Sequence, residues 1–112
     1  MVLKLTNRDI DNVTVVDLEG KMNTSTSTEA DAFLSQLVQG GSNRLLMNLQ
    51  GIDYISGSGL RVILATGKRV GSSGGKLVFC NLNTSVGEVF RVSGFDTIFP
   101  VFETEQEALS SF

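Results

Sequence analysis

Histidine is absent from these 112 residues. Without an imidazole no Ser-His-Asp or Cys-His nucleophile can be assembled, and most zinc and iron sites lose a usual ligand. Cysteine is nearly absent too. Cys80 is the sole one, so no internal disulfide can form, in keeping with a reducing compartment. It closes the apolar run Leu77-Val78-Phe79-Cys80, where a thiol is expected to be buried and to behave as a small hydrophobe. No apolar run approaches the ~20 residues of a membrane span. Lys4, Arg8 and Asp9 interrupt the segment from Met1 to Ile10, so no secretory leader is expected. Positive charge is also scarce: 9 Lys and Arg stand against 12 Asp and Glu, a net charge of −3. That balance argues against nucleic acid or anionic lipid as the main partner. The expectation is one soluble, cytoplasmic domain over residues 1–112, monomeric by default. At this size folding buries roughly 65% of the unfolded surface, an adequate core.

The remaining residues alternate between two periodicities. Val2–Leu5 and Val13–Leu18 are rich in aliphatic and β-branched residues, and turn chemistry over Asn7–Asn12 predicts a hairpin between them. A helix is expected next, with Thr26 and Glu29 as a capping box, an apolar stripe of Ala30, Phe33, Leu34, Leu37 and Val38, and Gly40-Gly41 as its stop. Arg44–Leu49 reads as a buried strand. The following segment places Leu60, Ile63, Leu64 and Gly67 on one helical face and ends in Gly71-Ser72-Ser73-Gly74-Gly75. Lys76–Leu82 is a further strand. Ser85 and Glu88 suggest a second capping box, with Val86, Val89 and Phe90 inward and Gly94 as terminator. A short strand over Phe99–Phe102 and a terminal helix capped by Thr104 and Glu107, with Ala108, Leu109 and Phe112 on its apolar side, complete the chain. Such alternation predicts an α/β fold: a mostly parallel or mixed sheet of four or five strands, an N-terminal β-hairpin and about four helices.

Few motifs survive inspection. Gly71 to Lys76 resembles a phosphate loop only faintly, because three residues separate Gly71 from Gly75, Leu77 follows the lysine, and a strand comes next. Gly57-Ser58-Gly59 lacks the third glycine of a dinucleotide fingerprint, since Val62 stands there. It also lacks the outer glycines of a nucleophile elbow, whose places hold Ser56 and Leu60. Asp53 has no second carboxylate near it in sequence for paired acid–base work. No catalytic residue, cofactor or metal is therefore expected.

Ser58 sits where a strand turns into a helix, near backbone N–H groups that lack helical partners. On physical grounds either Ser56 or Ser58 serves as N-cap, worth about 1 kcal/mol. Gly57 and Gly59 leave the turn uncrowded and open to a docking protein. Arg61, Lys68 and Arg69 lie off the apolar stripe, either as a solvated face or as a docking rim. A phosphoryl group on Ser58 would meet the positive end of the helix dipole and bring about −1.5 to −2 charges.

Several segments together bring a family into view. The Ser56-Gly57-Ser58-Gly59-Leu60 turn and the strand before it, Gly74 to Asn81, Val89 to Phe95 and Gly20-Lys21-Met22-Asn23 resemble the STAS domain over nearly the whole chain. Stand-alone members are bacterial anti-sigma factor antagonists, and the family pattern Asp-Ser/Thr-Ser-Gly-Leu aligns with Ser56 to Leu60. The resemblance implies that Ser58 is the phosphorylated serine, with Ser56 as an alternative. It also implies a docking surface made of Asn23, Ser56, Gly57, Ser58, Gly59 and Arg61. The partners implied are an anti-sigma factor serine kinase of the GHKL type, which the unmodified antagonist sequesters to free the sigma factor, and a PP2C-type phosphatase that resets it. Ser56 and Asn23 stand where the family carries aspartates, which removes negative charge from this surface. That loss motivates a second expectation, a constitutive accessory module of a transporter or sensory complex.

Overall fold

The computed structural model describes residues 3–112; Val2, the expected start of the first strand, lies outside the described residues. Two strands, β1 (Lys4–Ile10) and β2 (Val13–Met22), form the antiparallel hairpin. Its turn is only Asp11-Asn12, with φ of 52° and 67°. Both residue types tolerate left-handed backbone, and such a two-residue turn matches the natural twist of paired strands. Asn7 to Ile10, expected as turn, continue β1 instead. Asn7, Arg8 and Asp9 are polar because β1 is an exposed edge strand, not because the chain bends there.

After α1 (Ser27–Gln39), the chain enters β3 (Arg44–Ile55), then α2 (Gly57–Ser72) and β4 (Lys76–Cys80). Next come α3 (Thr84–Ser93), the short α4 (Phe95–Ile98), β5 (Val101–Phe102) and α5 (Glu105–Leu109). The sheet order is β1-β2-β3-β4-β5, parallel from β2 onward. The expected mixed sheet with an opening hairpin is thus present, with five strands, and α4 is one helix more than expected. It is a single turn confined between Gly94, at φ 80°, and extended Phe99, too short to show a period. No helix among the described residues is long and apolar enough to cross a membrane.

One sheet face carries the larger core. Leu45, Met47, Leu49, Leu77 and Phe79 meet Ala30 and Leu34 of α1, Val62, Ile63 and Val70 of α2, and Val86 and Phe90 of α3. Phe79 packs edge-on against Phe90 and Phe99 at centroid distances of 5.1 and 5.4 Å. The opposite face holds Val13, Val15, Leu46, Val78, Cys80 and Ala108 of α5. Cys80 is fully buried there, and burial pushes its thiol up to about 12.

Three local expectations change. Thr26 precedes α1, but its hydroxyl donates to the Lys21 carbonyl at 2.7 Å and makes no bond to a helix amide. Asn83, not Ser85, caps α3 by accepting from the Val86 N–H at 2.8 Å, and Glu88 pairs instead with Arg91. The buried side of α2 is Gly59, Val62, Ile63, Thr66 and Val70, while Leu60 and Leu64 are half-buried at its margin. Thr66 can be buried because its hydroxyl donates to the Val62 carbonyl at 2.9 Å. The Thr104–Glu107 capping box forms in both directions, at 3.1 and 3.2 Å. Gly75 follows the turn from α2 and runs against β3: a Cβ there would lie 1.9 Å from the Asn43 carbonyl oxygen. Close backbone approach, not phosphate binding, accounts for it.

Candidate functional site at the carboxyl ends of β2 and β3

β2 and β3 extend past the expected Leu18 and Leu49 and stay paired to Met22 and Ile55, with register shifts after Asp17 and Gly20. Their carboxyl ends therefore leave the sheet side by side. The Ser56 N–H donates to the Met22 carbonyl at 2.8 Å, which seals the loop after β2 to the start of α2. Asn23 and Ser58, far apart in sequence, are brought to one end of the molecule by this pairing.

Within the turn the two serines differ. Ser56 is the N-cap of α2: its backbone is extended (φ −90°, ψ 175°) and its hydroxyl accepts from the Gly59 N–H at 3.3 Å. Ser58 lies in the first turn of the helix, half-buried. Its Oγ is 3.3 Å from Thr24 Oγ1 and accepts from Arg61 Nη2 at 3.2 Å. The cap left open between Ser56 and Ser58 is therefore Ser56.

The glycines differ as well. A Cβ on Gly57 would meet nothing within 4 Å, so that side of the turn is open. Gly59 is buried, and a Cβ there would lie 3.0 Å from Ile55 Cγ2, Met22 Cβ and the Met22 carbonyl oxygen. It sits behind the surface and allows α2 to approach the end of β2. Asn23 Oδ1 accepts from the Ser25 and Thr26 N–H groups at 2.9 and 3.2 Å, so this side chain shapes its own loop.

A groove of about 360 Å³ runs from Ser58 between α1 and α2, lined by Ser27, Thr28, Asp31, Arg61 and Arg69 among others. Arg69 is tied to Asp31 at 2.9 Å, which removes it from the set of free rim cations, while Arg61 and Lys68 are exposed. Asp53 is exposed and faces Lys21 at 3.8 Å. Half-exposed Tyr54 stands two residues before the cap. Neither hydrogen-bonding neighbour of Ser58 Oγ can take its proton: Arg61 is a cation and Thr24 a hydroxyl.

Thr24 escaped the sequence reading. It is one of five consecutive Ser and Thr residues, and its contact with Ser58 spans 34 positions. No linear signal singles it out. Far from this site, Arg8 bridges Asp17 and Glu105 on the opposite face, and Asn48 donates to Glu105 at 3.0 Å. The Arg8 guanidinium, and then Asn48, hold the Glu105 carboxyl below the usual carboxylate range against the opposing effect of burial.

Comparison with known proteins finds relatives over nearly the whole chain. The family model described as the STAS domain matches residues 4–108. A Bordetella bronchiseptica protein provisionally named anti-sigma factor antagonist BtrV is 38% identical over 110 residues, covering 98% of this chain and 95% of that protein. An anti-sigma F factor antagonist of Paenibacillus polymyxa is 27% identical, covering 88% of this chain and 85% of its own length. Among solved structures, an anti-sigma factor antagonist from Mycobacterium paratuberculosis superposes with a TM-score of 0.89 at 21% identity, over 97% of this chain and 92% of its own. The chain belongs to the STAS domain family, among the bacterial anti-sigma factor antagonists.

Proposed function

We propose that this chain is an anti-sigma factor antagonist switched by phosphorylation of Ser58. Unmodified, it binds an anti-sigma factor serine kinase of the GHKL type through the surface around the first turn of α2 and so frees the sigma factor. The kinase transfers the γ-phosphoryl group of ATP to Ser58 Oγ: the bond to the bridging oxygen breaks, ADP leaves, and the hydroxyl proton passes to a base on the kinase. A PP2C-type phosphatase returns the hydroxyl by hydrolysis, releasing inorganic phosphate. All of this is assigned to the cytoplasm, where ATP is available.

One observation carries the choice of residue. Ser58 Oγ lies at the mouth of a groove with two surface partners, whereas Ser56 Oγ caps the helix and its modification would remove that cap. The open face of Gly57 gives a partner room to reach the hydroxyl. The relatives' shared naming supports the general role, and Asn23, Ser56, Gly57 and Arg61 complete the surface we assign to the partner.

The energy scale suffices. Two unit charges 4 Å apart interact by about 4 kcal/mol at an effective dielectric near 20, and a phosphoryl group brings about −1.5 to −2 charges. Salt screening reduces this, but about 2.7 kcal/mol already weakens binding a hundredfold.

The test is to incubate wild type, Ser58→Ala and Ser56→Ala with a GHKL-type serine kinase of the same genome and ATP, then map phosphate by mass spectrometry. Modification should vanish in Ser58→Ala alone. Undiminished modification of Ser58→Ala would overturn the assignment. A chain that binds its partner equally well with and without phosphate would instead be the constitutive accessory module.

A further inference from the structure

We propose that Arg61 is the residue that clamps the phosphoryl group once it is on Ser58, making the modified turn an internally closed state. The inference deepens the reading above and rests on Ser58 being the modified residue.

The geometry is already in place in the unmodified chain. Arg61 lies one helical turn after Ser58, where side chains three apart meet on one face, and its Nη2 already reaches Ser58 Oγ at 3.2 Å. On the other side of the hydroxyl stands Thr24 Oγ1, 3.3 Å away on the loop after β2. Esterification removes the Ser58 hydroxyl proton and sets three phosphoryl oxygens beside these two donors. A guanidinium presents a planar fork of N–H donors that suits two such oxygens at once.

Competition for Arg61 is slight. Among the described residues it takes part in no ion pair. The one carboxylate lining the same groove, Asp31, is held by Arg69 at 2.9 Å, so it neither draws Arg61 away nor stands unneutralised against the phosphate. Arg61 is thus the cation of this groove that remains available. Closing it onto the phosphate withdraws a positive side chain from the surface presented to the partner, in addition to adding negative charge.

The test needs no kinase. Phosphoserine is installed at position 58 during translation, and the second ionisation of the phosphate is followed by phosphorus NMR in wild type, Arg61→Gln and Arg61→Lys. A cation held against the group favours its dianion, so the native wild type should titrate below the ordinary second pKa of about 6. The shift expected of one solvent-exposed pair is roughly half a unit. Arg61→Gln should move back toward the value of the same chain in urea, keeping only the part of the shift that the α2 dipole and Thr24 supply, and Arg61→Lys should fall between it and wild type. Superimposable wild-type and Arg61→Gln curves, with both proteins native by circular dichroism, would overturn the clamp. Because the phosphate is placed by translation, this result is independent of whether the kinase assay modifies Ser58.

Discussion

Replacing Gly59 and Gly57 one at a time by alanine separates what the two glycines of the turn do. Both lie in the first turn of α2, and neither has a positive φ. Either replacement therefore relieves the unfolded chain of glycine's extra freedom, which alone stabilises by about 0.5–1 kcal/mol. At Gly57 the new methyl group enters open space, so Gly57→Ala should keep a gain of about 0.5 kcal/mol. At Gly59 the methyl would lie 3.0 Å from Ile55 Cγ2, Met22 Cβ and the Met22 carbonyl oxygen. None of these can move freely. Met22 and Ile55 are buried, and the Met22 carbonyl already accepts from the Ser56 N–H at 2.8 Å. The first turn of α2 must tilt outward instead, and overpacking of this kind costs about 1–3 kcal/mol. The net loss at Gly59 is then about 1–2 kcal/mol, or roughly 4–8 °C in Tm for a domain of this size. Thermal unfolding followed by far-ultraviolet circular dichroism would measure both variants under one condition. The difference between them, about 2 kcal/mol, isolates the packing term because the entropy gain is common to both. Gly59→Ala melting at or above Gly57→Ala would refute the close approach of α2 to β2.

Two further outcomes test the opposite face of the sheet. The folded Glu105 carboxyl titrates below its usual range because of Arg8 and Asn48, so its contribution is fully present above the unfolded pKa of about 4.3 and is lost as pH falls through the folded value. Partial exposure limits it to about 0.5–1 kcal/mol. Glu105→Gln should therefore melt lower than wild type at neutral pH, with the gap narrowing on acidification below about 4.3; a gap that stays constant well into acid would count against the ion pair. Buried Cys80, its thiol pushed up to about 12, should resist a water-soluble disulfide reagent at mildly alkaline pH in the native protein. It should react fully once guanidinium unfolds the chain, and rapid native labelling would show that α5 does not cover it.

The strand and helix order could be read from spacing alone because each element carries its own local record. Leu45, Leu46, Met47 and Leu49 make a near-continuous apolar run because β3 is covered on both faces. Thr104 and Glu107 announce their helix because a capping box is closed within four residues. The same local reading failed where a neighbour overrode it. Asn7 to Asp9 looked like a turn, yet pairing with Val16, Val15 and Thr14 makes them strand. The stripe expected on α2 rotated toward Val62, Thr66 and Val70 because Gly59 and Gly67 allow β2 and the Phe99 ring to come close, and only that crowding shows which side faces in.

Residue types alone excluded histidine-based catalysis and an internal disulfide, and they marked Ser58 as a hydroxyl at the start of a helix; both conclusions need only an inventory and a local period. Which serine caps the helix, and that Ser58 meets Thr24 and Arg61 while Ser56 serves Gly59, follows from the paired ends of β2 and β3. Contacts spanning 34 positions leave no periodic trace in a chain; they exist only once folding has set the two loops side by side.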